Sequence, residues 1–304
     1  MNDNPGNWNE DLVRELATKQ ARDSKKPQDN KRSLKGFPVW SWIWYLLGAL
    51  YFILPLYATF TFSIEMQRDT LSFLAYEKAF ADKEFWHTFG YSNLVALLTI
   101  LVSALLSIPT AYWIRLRLPQ ARRIVEFITL LPFVVPAIIL VFGLIRIYSS
   151  SFNIPFTDIA LIPPLTNFRA GTTILLVAGY TVLALPYMYR SVDTGMRTID
   201  VATLTEAAQS LGADWKTIML RVIFPNLRSA LLSGALLTFA IVVGEVTIAS
   251  FLGVPAFGPY LFLLGQHRAY EPAALSFTSF LLTWMAMGLI QLVTGGQGQA
   301  TGAH

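Results

Sequence analysis

One acidic residue and one glycine stand out in the segment Asp200-Val-Ala-Thr-Leu-Thr-Glu206-Ala207-Ala208-Gln-Ser-Leu-Gly212-Ala-Asp214-Trp215. Glu206, Ala207 and Ala208 favour a helix. Gly212 suits the position just past a helix end, where φ is often positive. Asp214 can N-cap a second helix, running through Ile218, Met219 and Val222 toward Pro225. The chemistry on offer is recognition: a compact helix–glycine–helix knob that can sit in a socket on a soluble partner. The other candidate is Glu245, the only ionisable residue well inside an apolar stretch. A charge near a bilayer centre costs about 2.5–3.5 kcal/mol or more, so it should face a cavity or a partner. Two readings follow. Glu245, with Arg146, lines a pathway for a cationic or polar solute; or Glu245 makes a helix–helix hydrogen bond or pairs with Arg146.

Other chemistries are missing their residues. There is no cysteine, hence no disulfide framework, cysteine zinc site or thiol nucleophile. His87, His267 and His304 lack ligand spacing, so no metal site is expected. No glycine is followed by lysine, which excludes a Gly-x-x-x-x-Gly-Lys phosphate loop and an ATP site in this chain. No Ser/His/Asp constellation suggests catalysis, and no nucleic-acid partner is expected.

The elements that must position Glu206 and Glu245 follow from composition. Of 304 residues, 54% are hydrophobic and 14% charged, against about 25% charged in a soluble domain. Six apolar stretches are expected to cross a membrane as helices: Trp40–Ser63, Asn93–Ile114, Ile124–Ile145, Thr172–Tyr189, Leu227–Leu252 and Ala273–Val293. Each approaches the roughly 20 residues that span about 30 Å of hydrocarbon. The fold class expected is therefore all-α and polytopic. Lys and Arg set its orientation. Seventeen of the 23 fall in the N-terminal tail and in the second-to-third and fourth-to-fifth connections. Both termini are thereby expected in the cytoplasm.

Residues 1–39 read as a basic cytoplasmic tail, with a short amphipathic helix between Trp8 and Gln20. Residues 40–293 form the six-span domain, and 294–304 a Gly-rich, flexible tail. The segment Ile64–Ser92 is expected to hold a short amphipathic helix on the outer face. Ser149–Gly171 reads as a loop. Ala256–Leu264 is apolar but too short to cross, and reads as an interfacial or re-entrant cover. Pro109, Pro132, Pro136 and Pro186 are expected to bend their spans.

The fourth-to-fifth connection resembles the EAA loop of type I ABC importer permeases, with their MetI-like transmembrane domain. That pattern is E-A-A, three residues, G, nine residues, I-x-L-P. Here Glu206-Ala207-Ala208 precedes Gly212 at that spacing, and Val222-Ile223-Phe224-Pro225 closes it. Val stands for Ile and Phe for Leu. The likeness runs roughly from Trp40 to Val293, and is nearest in feel to the polyamine, ferric iron and phosphonate branch.

The resemblance implies a multi-pass permease subunit in a bacterial inner membrane, working by alternating access. It implies a second permease subunit, a different chain fitting the branch better. It also implies two cytoplasmic ABC ATPase subunits that carry ATP and Mg, and a periplasmic or lipid-anchored solute-binding protein. Glu206, Ala207, Ala208, Gly212 and Pro225 would couple the chain to the ATPases. An ATP-independent secondary transporter or channel is the alternative. It would need ionisable coupling residues in several spans and broken helices in an internal repeat.

Overall fold

The computed structural model describes residues 39–66, 71–153 and 160–295. The tail helix expected between Trp8 and Gln20 and the Gly-rich end at 296–304 lie outside them. The chain divides into two units, Met1–Leu54 and Pro55–His304.

The regular elements among the described residues are helices, with one small antiparallel pair, β1 (Phe152–Asn153) with β2 (Ala160–Ile162), and an isolated bridge between Glu65 and Ser72. The expected all-α class stands. In order come α1 (Val39–Ile64), α2 (Leu74–Ala81), α3 (Lys83–Leu116), α4 (Arg122–Val134) and α5 (Ala137–Tyr148). After the β pair follow α6 (Arg169–Thr198), α7 (Val201–Ser210), α8 (Trp215–Asn226) and α9 (Arg228–Gly244). The last are α10 (Thr247–Phe251), α11 (Phe257–His267) and α12 (Tyr270–Gly295).

Among the described residues, three helices are long and apolar enough to cross a membrane: Trp42–Ile64, Lys83–Leu116 and Arg169–Thr198. Two bent pairs raise the number to five if each is one span. The sixth expected stretch lies in α12.

Two of the expected spans are broken, the third span at one of the four prolines expected to bend the helices. The third, Ile124–Ile145, bends by 100° between α4 and α5. Pro136 is responsible, because its ring disfavours helical backbone at the preceding residue. Val135 is accordingly extended, at φ −87° and ψ 113°. Pro109, Pro132 and Pro186 by contrast remain inside helices. The fifth, Leu227–Leu252, stops at Gly244 and restarts at Thr247.

The outer segment holds the expected short helix, and the next helix begins earlier than expected. Within the segment lie α2 and the first turns of α3, which begins at Lys83, well before Asn93. Asp82 fixes that start. One carboxylate oxygen accepts the Glu84 N–H at 2.9 Å, and the other accepts the Tyr260 hydroxyl at 3.0 Å. Burial, and then that bond, push the Tyr260 phenol well above its ordinary value.

The core lies where α3, α6 and α9 pack together. Toward one end, Tyr112, Met188, Val192, Met196, Ile223 and Leu227 cluster out of solvent. Toward the other, Val95, Leu176, Tyr180, Val242 and Ile248 do the same. Many other apolar side chains face outward, among them Leu97, Leu101 and Leu105 of α3. In water such a surface would aggregate; against lipid it costs nothing.

Candidate functional site

The knob is built by three local devices. Asp200 N-caps α7: its Oδ1 accepts the Thr203 N–H at 3.2 Å and its Oδ2 accepts the Thr203 hydroxyl at 2.6 Å. The Thr203 side-chain bond, then the backbone bonds, hold the Asp200 carboxyl below its ordinary value. At the other end of α7, the Gly212 N–H bonds to the Gln209 carbonyl at 2.9 Å and the Ala213 N–H to the Ala208 carbonyl at 3.0 Å. That is the six-to-one, five-to-two pattern of a Schellman stop, which requires a left-handed residue. Gly212 supplies it, at φ +79°. Asp214 then caps α8 by accepting the Thr217 N–H at 3.0 Å. Its carboxyl too is held low, first by the Thr217 side chain.

The middle of α8, Ile218–Ile223, is π-helical, and the Phe224 N–H reaches back to the Met219 carbonyl. The widened turn adjoins Pro225, which has no N–H to continue an α ladder. The Asn226 amide offsets the gap by donating to the Val222 carbonyl at 2.7 Å.

The base of the knob is anchored and its tip is free. Thr205, Ile218, Met219 and Ile223 are buried. The Thr205 and Tyr112 hydroxyls bond at 3.3 Å, tying α7 to α3. Glu206, Ala207 and Gly212 are exposed, and Leu211 at the apex is 89% exposed. Beside the tip, Glu206, Trp113, Arg117 and Trp215 border a cavity of about 480 Å³. The structure thus brings Glu206, Ala207, Ala208 and Gly212 into one projecting unit. Pro225 lies at its base, in α8.

Glu245 is elsewhere, at the break between α9 and α10. Its backbone is extended, with ψ 130°. Its Oε1 accepts the Thr247 N–H at 2.7 Å and the Ile248 N–H at 3.1 Å, and its Oε2 accepts the Ile248 N–H at 2.9 Å. The side chain replaces the carbonyls that the interrupted helix no longer offers. Arg146 is exposed, and among the described residues no ion pair joins it to Glu245, so of the alternatives the Glu245–Arg146 pair is not made. The neighbour that sequence reading missed is Tyr180. Its hydroxyl is buried close to the Glu245 carboxylate but outside hydrogen-bond geometry. No local motif signals that approach, because it depends on how α6 packs against the break.

Comparison with known proteins decides what kind of chain this is. Residues 105–295 match the family described as binding-protein-dependent transport system inner membrane component. The chain belongs to that family. A probable molybdenum ABC transporter permease of Haloferax volcanii is 29% identical over 51% of this chain and 54% of its own length. A spermidine/putrescine transport permease of Haemophilus influenzae is 24% identical over 55% and 57%. The chain therefore spans little more than half the length of these relatives. A crystal structure of a bacterial ABC transporter that imports the acidic polysaccharide alginate superposes with a TM-score of 0.60. It covers 86% of this chain and 96% of its own at 17% identity, which shows a common fold. The MetI-like permease family expected from the EAA-like loop is thus the family found, and the loop lies within the matched residues.

Proposed function

We propose that this family member is the transmembrane permease subunit of an ATP-driven importer, and that the knob transmits ATPase motion to the membrane helices. The observation that carries this reading is the contrast within the knob: a base locked to α3 and α6, and a tip with an apolar residue 89% exposed. A rigid lever needs both. Glu206, Ala207, Ala208 and Gly212 form the docking face, with Pro225 fixing the angle at which α8 leaves. The knob faces the cytoplasm, where two ABC ATPase subunits bind ATP and Mg. A second, non-identical permease subunit completes the pathway, and a periplasmic or lipid-anchored binding protein delivers solute.

The solute is small and polar: a polyamine, an aminophosphonate or a ferric complex. The relative named for spermidine/putrescine supports the first. The Glu245 carboxylate is taken up by backbone N–H groups of its own break, a local cap that neither reading named, and this supports a structural part for it over a pathway one. Arg146, exposed and without an ion pair among the described residues, remains the freer of the two pathway candidates.

The test is co-purification. A tagged chain should bring down a soluble ATPase, and Gly212→Asp should lose it while still inserting into the membrane. Normal transport by Gly212→Asp with a full complement of ATPase would end the docking assignment.

A further inference from the structure

A second polar site lies at the knob end of α6, outside the coupling loop. Asp193 and Glu126 are shared by three arginines. Arg197 bonds Asp193 at 2.7 Å and Arg122 bonds Glu126 at 2.8 Å. Longer contacts cross over, Arg122 to Asp193 at 3.7 Å, Arg197 to Glu126 at 3.7 Å and Arg115 to Asp193 at 3.9 Å. The Arg115 Nε is buried without a partner. A fourth arginine, Arg190, borders the same cleft and makes no ion pair with a carboxylate among the described residues. Arg190 and Arg197 line the cleft with Glu126 and Asp193, and Arg122 and Arg115 stand behind those carboxylates, so the surplus of guanidinium groups belongs to the cluster around the cleft and not to its lining alone.

The cleft is a cavity of about 390 Å³, with Thr129, Tyr189 and Thr194 adding hydroxyls to the charged groups. That is within the range of about 300–1,000 Å³ usual for small-ligand sites.

One wall is α4, which has 13 residues and turns by 100° into α5. A helix this short does not cross a bilayer alone and fits the interface. Its outer face agrees. Ile124, Phe127, Ile128 and Leu131 follow helical spacing and are all exposed. One helix thus sets an apolar stripe beside an arginine-rich cluster.

We propose that the cleft between α4 and α6 binds the phosphate headgroup of an anionic phospholipid, with the acyl chains along the exposed face of α4. The site rests on the cytoplasmic placement of the knob, because Arg197 lies just before Asp200. Basic pockets between membrane helices on the cytoplasmic side are suited to such headgroups. A free phosphate ion shares the headgroup chemistry but gains nothing from the apolar stripe.

The experiment is native mass spectrometry of the full-length chain, delipidated in detergent and titrated with phosphatidylglycerol or phosphatidylcholine. Phosphatidylglycerol should bind in preference. Arg190→Gln, which breaks no ion pair, should weaken that binding about fivefold, the share of one cation near a charged surface. Arg169→Gln, at the far end of α6, should leave it unchanged. Excess inorganic phosphate should not displace the lipid. Equal binding of the two lipids, or no effect of Arg190→Gln, would overturn the site. Displacement by inorganic phosphate would overturn its assignment to a lipid. ATPase co-purification is read separately, so failure here and failure of the docking assignment are distinguishable.

Discussion

At Asp214 and at Glu245 a helix has just stopped and a carboxylate caps the next one, yet these two breaks are built for opposite surroundings. In the knob, Gly212 turns the chain through positive φ and Asp214 caps α8, with the tip open to solvent. At the second break, Glu245 itself leaves the helix and bends its side chain forward onto Thr247 and Ile248, half-buried in the bundle. In water a stray N–H finds solvent, so a cap there adjusts stability and sets direction. In a bilayer an unsatisfied N–H costs several kcal/mol, so the cap is required. The same device is thus a signpost in one place and a structural necessity in the other.

The sharpest way to separate the two is to remove the carboxylate at the inner break. Glu245→Ala leaves two N–H groups without an acceptor and should cost several kcal/mol. The expected result is little folded protein in the membrane, read by protease resistance and size exclusion. Glu245→Gln keeps an acceptor and should lose only about 1.5–3 kcal/mol, the worth of a hydrogen bond to a charged group. If Glu245→Ala is as stable as Glu245→Gln, the cap is not what holds this break.

Packing at the break gives the next effect. A Cβ on Gly258 would overlap the Glu245 carbonyl. Gly258→Ala should therefore cost about 1–3 kcal/mol, as overpacking does, and lower the thermal midpoint. At Gly212 a Cβ meets nothing, so any loss there comes from φ alone. Gly212→Val should cost about 1–3 kcal/mol of backbone strain and abolish ATPase co-purification. Gly212→Asn, which tolerates the left-handed region, should retain most of it. Equal loss in both variants would shift the explanation from conformation to contact.

Acid gives the smallest effect. Asp200 and Asp214 are held below the unfolded aspartate value of about 3.9. Their contribution is complete above that value and is lost as pH falls through the lower folded values. Hydrogen exchange in α7 and α8 should rise only in that acidic window. A rise near neutral pH would point away from these caps.

The knob was legible because solvent-exposed turns use a small vocabulary. Glycine at a left-handed position and aspartate before a helix recur at fixed offsets, and both expectations held at Gly212 and Asp214. The membrane helices were legible as apolar segments but not as shapes. Hydropathy counts side chains and is blind to whether the backbone runs straight, so the breaks at Val135–Pro136 and Glu245 were hidden inside apolar runs. Pro136 carried a local clue, since the residue before proline avoids helix. Glu245 carried an open one, because a lone acid in an apolar run reads equally as a pathway residue or as the partner of another helix, and neither reading names a cap. The cluster of Arg122, Glu126, Asp193 and Arg197 was half visible. Two of its pairs are four residues apart on one helix, but their union across α4 and α6 needs the fold.

The central claim is that the tip of the knob meets a cytoplasmic ATPase. The chain has no cysteine, so Leu211→Cys introduces a single thiol at the apex. In intact cells this thiol should be silent to a membrane-impermeant maleimide added outside. In membranes carrying the assembled transporter it should crosslink to the ATPase subunit. Prompt labelling from outside, or full assembly with no crosslink at this position, would contradict it.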